Sequence, residues 1–532
     1  MKHWKIAFVT VALGGAALMA AVAQSNAKTL VFAQSGDAIN FEPGDREDGN
    51  TLQAQQPIYE RLLGFKSGTT DIIPSLATKW RANKTATEWT FTLRSGVKFH
   101  DGTGFDADAV KFNVMRWWDP KFEYGYRDQG KLWEPMGDLL NGYKGDDTAT
   151  IKDVQVLNKY QIKFVLAQPF AAFDAVMASI YFEIASPTAI KKAGASYGTP
   201  ASVGTIAGTG PFILKDWKPG DRIVYTKNPN YWGKTTGNVD QLVLRTIKDT
   251  SARFAELRAG TVDLTVNLNP DDYAAIKADS KLKAVLQPSF NVGYVAFNLG
   301  IKPFDNLKVR QAVSQAINKK DIVDSFWKGL GETNGSFLPS TFSDFRSPKV
   351  KDYVYNPEAA KKLLADAGYP NGFESEFWYM PVSRAYFPTP KPIAEAIAAD
   401  LAQIGIKLNL KTEDWGTYLE DRKKNKFPMF LLGWGGDYGD ADNFYTPHFG
   451  PGAVDDVNYR NQKVFDLLDK AKRLTNRKAK VPIYQQVEEI LFNDIVRMPF
   501  VHSQPLAATK ATVEGFKPSP LGEIPFADIT IK

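Results

Sequence analysis

The sequence predicts a mixed α/β protein with at least two lobes. Its 532 residues are 44% hydrophobic and 23% charged, which is typical of a soluble globular chain. That length exceeds what one hydrophobic core usually serves. Between residues 242 and 266, an apolar run, an amphipathic segment and a second apolar run follow one another. This order predicts a βαβ unit and therefore parallel strand pairing.

Apolar runs and alternation predict the elements of the first half of the chain. The apolar run at 28–33 predicts a buried strand, and the alternation at 88–93 predicts a half-buried one. We expect 97–99 to form a hairpin with that second strand. Apolar residues at irregular helical spacing favour a helix over 53–63. Residues 119–150 are weakly periodic and rich in Gly, Asp, Tyr and Trp, which predicts a long surface insertion.

The second half carries clearer helix signals. The best of them starts at Asn356, a good N-cap residue, followed by Pro357 at the first helical position. Gly368 follows the last turn, so the segment predicts a helix over 356–367. Further helices are predicted at 106–118, 306–317, 393–404, 415–422, 462–473 and 480–491.

The composition argues against several function classes. The chain has no cysteine, which excludes disulfides, thiolate metal sites and a cysteine nucleophile. Its four histidines are scattered, so a zinc site has little to draw on. The net charge of +6 is spread over mixed acidic and basic residues, whereas a nucleic-acid binder usually concentrates its positive charge. We therefore expect no metal, no cofactor and no nucleic-acid partner.

The N-terminus has the pattern of a secretory signal peptide. Lys2 and Lys5 precede an apolar run over 6–23, and small residues lead up to Ala27. We expect cleavage after Ala27, with Ala23 as a second candidate. A single membrane anchor is the alternative, but the run is short and no basic cluster follows it. A cysteine-free exported protein fits the bacterial periplasm.

Two motifs invite enzymatic or metal interpretations. Residues 194–198 match G-x-S-x-G, but a predicted helix precedes Ser196 where a hydrolase needs a strand. The loop at 435–443 holds three aspartates whose spacing does not match a calcium-binding EF-hand loop. We interpret Asp440 and Asp442 as loop or cap residues. A glycine-rich loop after a buried strand is also where open α/β sheets hold ligands.

The chain resembles the periplasmic dipeptide- and oligopeptide-binding proteins, the family 5 extracellular solute-binding components of ATP-binding-cassette importers. The likeness runs from Lys28 nearly to the C-terminus, and the closest similarity is to dipeptide-binding proteins. It is carried by several blocks: IPSLATKW (73–80), WTFTLRSGVKFHDG (89–102), GTGPF (208–212), NPNYWG (228–233), NVGYVAFN (291–298), PFDNLKVRQAVSQAINK (303–319), MPVSRAYFP (380–388) and GWGGDYGDADNF (433–444).

The resemblance implies a two-lobed periplasmic-binding-protein fold of class II type, with mixed sheets, a discontinuous first lobe and an extra domain. After the signal peptide at 1–27, the extra domain would span 61–205 and the other lobe 293–498. The first lobe would combine 28–60, 206–292 and 499–532. Hinge crossings would lie near 290–298 and 496–502.

The resemblance also implies a binding site. An aspartate at the position of Asp437 pairs with the ammonium group of a peptide, and an arginine at the position of Arg384 pairs with its carboxylate. The remaining positions line side-chain pockets or approach the ligand backbone: Trp415, Trp434, Tyr386, Gly436, Gly36 and Asp37. This chain departs from relatives in lacking cysteines and in its 119–150 segment.

The implied function is capture of dipeptides or short oligopeptides by hinge closure, and delivery to the permease subunits of an inner-membrane importer. Such a protein is a monomer and not an enzyme. The alternative is a receptor of the same fold for another solute, such as glutathione, an opine, a nickel chelate or an oligosaccharide. Asp437 together with Arg384 favours a zwitterion of dipeptide length.

Overall fold

Three sheets organise the chain in the computed structural model, which describes residues 27–453 and 455–532. Two of the sheets are mixed and one is antiparallel, so the predicted α/β class is confirmed. Residues 1–26, which carry all but the last residue of the predicted signal peptide, lie outside the described residues. Within the described ranges, no helix is long and apolar enough to cross a bilayer.

The seven-stranded sheet contains the predicted βαβ unit. Its two strands, Gln241–Thr246 and Leu264–Leu268, are joined by the helix Thr250–Ala259 and lie parallel on either side of Thr29–Gln34. The pairing is therefore parallel as predicted, with the first strand of the described chain between the two. In order across the sheet, the strands are Leu282–Leu286, Leu506–Lys510, Leu264–Leu268, Thr29–Gln34, Gln241–Thr246, Arg222–Lys227 and Phe212–Lys218.

The six-stranded sheet has its most buried strand in the middle. Every residue of Asn291–Phe297 is buried, and the strand pairs antiparallel with Met429–Gly435 on one side and Arg497–Ser503 on the other. In order across the sheet, the strands are Gly331–Glu332, Arg497–Ser503, Asn291–Phe297, Met429–Gly435, Phe373–Trp378 and Ile406–Lys411.

The four-stranded antiparallel sheet and the segment before it correct two predictions for the first half. Glu88–Leu93 pairs with Ala77–Ala82 and Gln161–Leu166, and the fourth strand is Ile151–Asn158. The predicted strand at 97–99 does not form, because both edges of Glu88–Leu93 are already occupied. The helix predicted over 53–63 is also wrong, since a shorter helix ends at Gln55 and a strand begins at Leu63.

The 119–150 segment is not simply a surface insertion. It contains the helix Glu134–Leu139, and Trp133, Met136 and Leu140 are buried in the core of the four-stranded sheet. Weak periodicity hid this because short turns, rather than long elements, present those side chains. Two short ribbons complete the strands: Leu63–Phe65 with Ile72–Pro74, and Val513–Glu514 with Thr530–Ile531.

Most of the predicted helices form with similar bounds. Asn356 is the N-cap of Pro357–Asp366, where its side chain accepts a hydrogen bond from the Ala359 amide at 3.0 Å. The other helices are Gly49–Gln55, Ala107–Trp118, Phe173–Met177, Pro187–Ala193, Tyr273–Ala278, Leu307–Ala316, Lys319–Trp327, Pro390–Ala402, Trp415–Lys423, Asp442–Phe449, Gln462–Ala471 and Arg477–Asp494.

The loop after Met429–Gly435 joins two units of the fold. Tyr438 lies just beyond the end of this strand of the six-stranded sheet. Its side chain is buried in the core of the four-stranded sheet, with its ring centroid 6.4 Å from that of Phe170. Nearby, the Ala171 amide donates to the Lys472 carbonyl at 2.8 Å. The aspartate before Tyr438 is therefore placed at a junction between the two units.

Candidate functional site

Asp437 lies at the carboxyl end of the buried strand Met429–Gly435, and local geometry fixes its position. Its amide donates to Asn443 Oδ1 at 2.7 Å, and Asn443 Nδ2 donates back to Asp437 Oδ2 at 3.2 Å. Across the junction, the Tyr181 hydroxyl lies 3.5 Å from Asp437 Oδ1. Among the described residues, no basic side chain forms an ion pair with this carboxylate.

The carboxylate of Asp437 is costly to ionise in this position. Burial raises the pKa of Asp437 to about 6, although the hydrogen bonds from Asn443 and Tyr181 oppose that rise. The negative charge of Asp138 adds to it. A positively charged ligand group would restore the ionised form, because an opposite charge nearby favours it.

A second carboxylate, Glu47, approaches Asp437 from the segment before the helix Gly49–Gln55. Burial is the main cause that raises the pKa of Glu47 to about 8, and the charges of Asp437, Asp138 and Glu134 contribute. Its Oε1 atom is buried and has no hydrogen-bond partner among the described residues. Glu47, Tyr181, Asp437 and Asn443 together are called the acidic end below.

Arg384 lies on a tight loop and is exposed. Reciprocal backbone hydrogen bonds between Arg384 and Phe387, at 3.0 and 2.9 Å, close the loop. The guanidinium lies 5.4 Å from the Trp415 ring centroid, in a cation–π contact, and donates to the Ser383 carbonyl at 3.2 Å. Among the described residues, it forms no ion pair with a carboxylate, so it remains available to an anion.

Tyr386 links this arginine to the strand that leads to Asp437. Its ring packs directly on Gly433, where any Cβ atom would overlap it. Burial raises the pKa of Tyr386 to about 12, while the charge of Arg384 opposes the rise. Arg384, Tyr386 and Trp415 are called the basic end below.

Trp434 follows Gly433 and is half-buried beside the acidic end. Its indole Nε1 donates to Asn443 Oδ1 at 3.3 Å, and its ring meets His448 edge-on at 5.0 Å between centroids. Five of the predicted residues therefore gather around the carboxyl end of one strand: Asp437, Trp434, Tyr386, Arg384 and Trp415.

The other three predicted site residues have different contacts. A Cβ at Gly436 would overlap Phe290, so this glycine is explained by packing against that ring. The Gly36 amide donates to Asn50 at 3.2 Å. Asp37 accepts from the Gly220 amide at 2.5 Å, which ties its carboxylate to a turn of the seven-stranded sheet.

The remaining aspartates of the loop serve the fold. Asp440 is buried and pairs with Lys480 at 2.7 Å. Asp442 accepts hydrogen bonds from the hydroxyls of Tyr438 and Thr446 at 3.2 and 2.5 Å. Within the described part of the chain, no group of three or more His, Asp or Glu side chains could hold a metal ion.

Sequence reasoning missed three residues of the acidic end. Asn443 could have been found, because it stands in the same motif as Asp437. Tyr181 and Glu47 had no local signal, since each meets Asp437 across more than 250 residues of chain. The G-x-S-x-G serine, Ser196, donates to the Ala193 carbonyl at 2.7 Å and follows the helix Pro187–Ala193.

Comparison with known proteins identifies the family. The sequence profile described as "Bacterial extracellular solute-binding proteins, family 5 Middle" matches residues 71–456. The chain belongs to this family. The chain is 36% identical to the heme-binding protein A of Haemophilus influenzae, and the alignment covers 95% of this chain and 93% of that protein.

Two further relatives carry peptide names. The dipeptide-binding protein of Escherichia coli is 34% identical, with 97% of this chain and 96% of that protein covered. A solved dipeptide-binding protein from Pseudoalteromonas sp. SM9913, in complex with Met-Leu, has a TM-score of 0.77 at 28% identity. That match covers 95% of this chain and all of the other, so the predicted family and its two-lobed fold are confirmed.

Proposed function

We propose that this family 5 protein captures short peptides, dipeptides foremost, by their two charged ends. The proposal is carried by one observation: the Asp437 carboxylate has no basic partner among the described residues, and the Arg384 guanidinium is accessible. Both are linked to the carboxyl end of one strand, Met429–Gly435. The names of the dipeptide-binding relatives support the same ligand class.

The physics of a zwitterion explains why two fixed charges are needed. Enclosing a dipeptide removes water from its ammonium and its carboxylate, which is costly unless each meets an opposite charge. Asp437 would meet the ammonium, and the planar fork of Arg384 suits the two carboxylate oxygens. Trp434, Trp415 and Tyr386 would form apolar walls for side chains. Recognition would then depend on the termini that every dipeptide shares.

A heme ligand is the second candidate, because of the relative named heme-binding protein A. The described histidines give it little support. Both ring nitrogens of His502 face backbone carbonyls at 2.8 and 2.9 Å, and His100 Nε2 lies 2.9 Å from the Gly210 carbonyl. His448 is buried against Trp434. His448 Nε2 has no hydrogen-bond partner among the described residues, but it is buried. The backbone engages the other two histidines, and this arrangement favours the peptide.

The cellular role follows from the proposed ligand. We infer that the chain is exported through its N-terminal signal segment, with cleavage near Ala27, and delivers peptide to the permease subunits of an ATP-binding-cassette importer. It would act as a monomer that changes shape without making or breaking bonds. Contacts from separate units would favour the closed form once peptide is bound.

Calorimetry with Ala-Ala tests the proposal directly. Removing one charge of a buried pair costs about 3–5 kcal/mol, so Asp437→Asn should weaken binding by roughly two to four decades. Arg384→Met should weaken it similarly. The control is Asp147→Asn, which removes an exposed carboxylate that has no ion-pair partner among the described residues.

The outcome that contradicts the proposal is equal affinity of Asp437→Asn and parent protein for Ala-Ala. Native mass spectrometry of the purified parent adds an independent check, because a co-purifying ligand reports its mass. Di- or tripeptide masses would agree with the proposal. Heme, glutathione or a metal chelate as the tight ligand, with no peptide binding in calorimetry, would replace it.

A further inference from the structure

The acidic end holds two carboxyl groups, one more than a single ammonium group can pair with. Asp437 and Glu47 both lack an ion pair with any described basic residue, and both are only partly exposed. Burial raises the pKa of the nearby Tyr181 hydroxyl well above its usual range, and the charges of Asp437 and Glu47 add to that rise. Two carboxylates from distant parts of the chain therefore face one small region.

Several carboxylates close to Glu47 form ion pairs, unlike Glu47 itself. Arg46, next to Glu47 in sequence, turns to Asp45 at 3.4 Å and Glu134 at 3.2 Å. Further into the core, Glu42 pairs with Arg116 at 2.7 Å. Asp45, Glu134 and Glu42 thus have basic partners, whereas Glu47, Asp437 and the neighbouring Asp138 form no ion pair among the described residues. The Glu47 amide donates to Glu134 at 3.1 Å, which holds this backbone in place.

We infer that Glu47 is a specificity-determining residue that favours peptides whose first side chain carries a positive charge. This inference rests on the proposed function, in which Asp437 meets the peptide ammonium. The ligand class it names is a dipeptide beginning with Lys or Arg. Glu47 would pair with the side-chain cation while Asp437 pairs with the terminal one.

Charge balance explains the preference. A dipeptide with a neutral first residue brings one positive charge to two carboxylates, and the unpaired Glu47 must then take up a proton or remain costly. The raised pKa values of Glu47 and Asp437 express that cost in the unliganded protein. A second cation removes it. A hydrogen bond between charged groups of about 1.5–3 kcal/mol corresponds to a preference of about tenfold to a hundredfold.

The test compares dipeptides that differ only in that charge. Calorimetry at pH 7.5 measures Lys-Ala against norleucine-Ala, whose side chain has similar length and no charge. The parent should bind Lys-Ala about tenfold to a hundredfold more tightly, and Ala-Lys should show no such gain. Glu47→Gln should abolish the preference, whereas Asp147→Asn should retain it.

The outcomes separate this inference from the proposed function. If the parent binds Ala-Ala but shows equal affinity for Lys-Ala and norleucine-Ala, the inference is wrong and peptide binding stands. An unchanged preference in Glu47→Gln would also overturn it. If the parent binds none of the dipeptides, the proposed function fails first. The parent comparison needs no variant, so it remains decisive even if Glu47→Gln folds poorly.

Discussion

At Asp437, burial and the proposed ligand contact would shift the ionisation of the same carboxylate in opposite directions. Burial raises its pKa to about 6 in the unliganded protein, whereas pairing with an ammonium requires the ionised form. The affinity for Ala-Ala should therefore fall as pH drops through 6, by about tenfold per pH unit below that value. Calorimetry between pH 5 and 8 measures it. A flat profile for the parent would contradict the prediction, and the profile of Asp437→Asn should be flat.

Glu47 should carry a stability cost at neutral pH. Its folded pKa of about 8 lies above the ordinary value of 4.5, so the unfolded state releases the proton first. The resulting cost is absent below pH 4.5 and grows as pH rises toward 8.

Glu47→Gln should accordingly raise the free energy of unfolding at pH 8, by at most about 4 kcal/mol for a pKa shift of this size. At pH 4 it should have no effect. Urea unfolding at both pH values measures the difference, with Asp147→Asn as the control. A variant less stable than the parent at pH 8 would mean that Glu47 has a native partner.

Among the helices, local signals were sufficient where the sequence carried its own cap. The Asn356–Pro357 pair predicted the start of Pro357–Asp366 because the cap bonds to the Ala359 amide three residues on. The helix predicted over 53–63 failed because tertiary pairing took Leu63 into a strand with Pro74. The site followed the same rule. Asn443 stood in the motif, whereas Glu47 and Tyr181 reach Asp437 only after folding.

The cap at Asn356 gives an element-scale prediction. Asn356→Ala should lower the free energy of unfolding by about 1 kcal/mol, because the Ala359 amide loses its acceptor. Lys362→Ala, an exposed change in the same helix, should be close to neutral. Urea unfolding compares them, and equal effects would mean that the cap bond contributes nothing.

The loop between strand and helix depends on Tyr438. Truncating a buried aromatic side chain costs about 3–5 kcal/mol, so Tyr438→Ala should be strongly destabilising. It should also weaken peptide binding, because Asp437 adjoins it. Tyr438→Phe removes only the hydrogen bond to Asp442 at 3.2 Å and should cost about 1 kcal/mol. If Tyr438→Ala bound Ala-Ala as the parent does, the loop would not depend on this anchor.

For the whole molecule, peptide binding should appear as global stabilisation. A ligand that binds only the folded chain at 100 times its Kd adds about 2.7 kcal/mol to the free energy of unfolding. Thermal unfolding should therefore shift upward with Ala-Ala for the parent. The same total concentration should give little shift for Asp437→Asn. An equal shift in both proteins would mean that the ligand binds elsewhere.

The anchoring of Tyr438 bears on how cargo could be given up. In the proposed complex, one short loop would hold the amine of the peptide through Asp437, and the same loop buries the ring of Tyr438 in a neighbouring unit. A transporter that separated these two units would pull Tyr438 out of the neighbouring core. Asp437, the adjacent residue, would move with it and away from the peptide. Release would then require no competing ligand, because separation of the units alone would break the contact between Asp437 and the peptide ammonium.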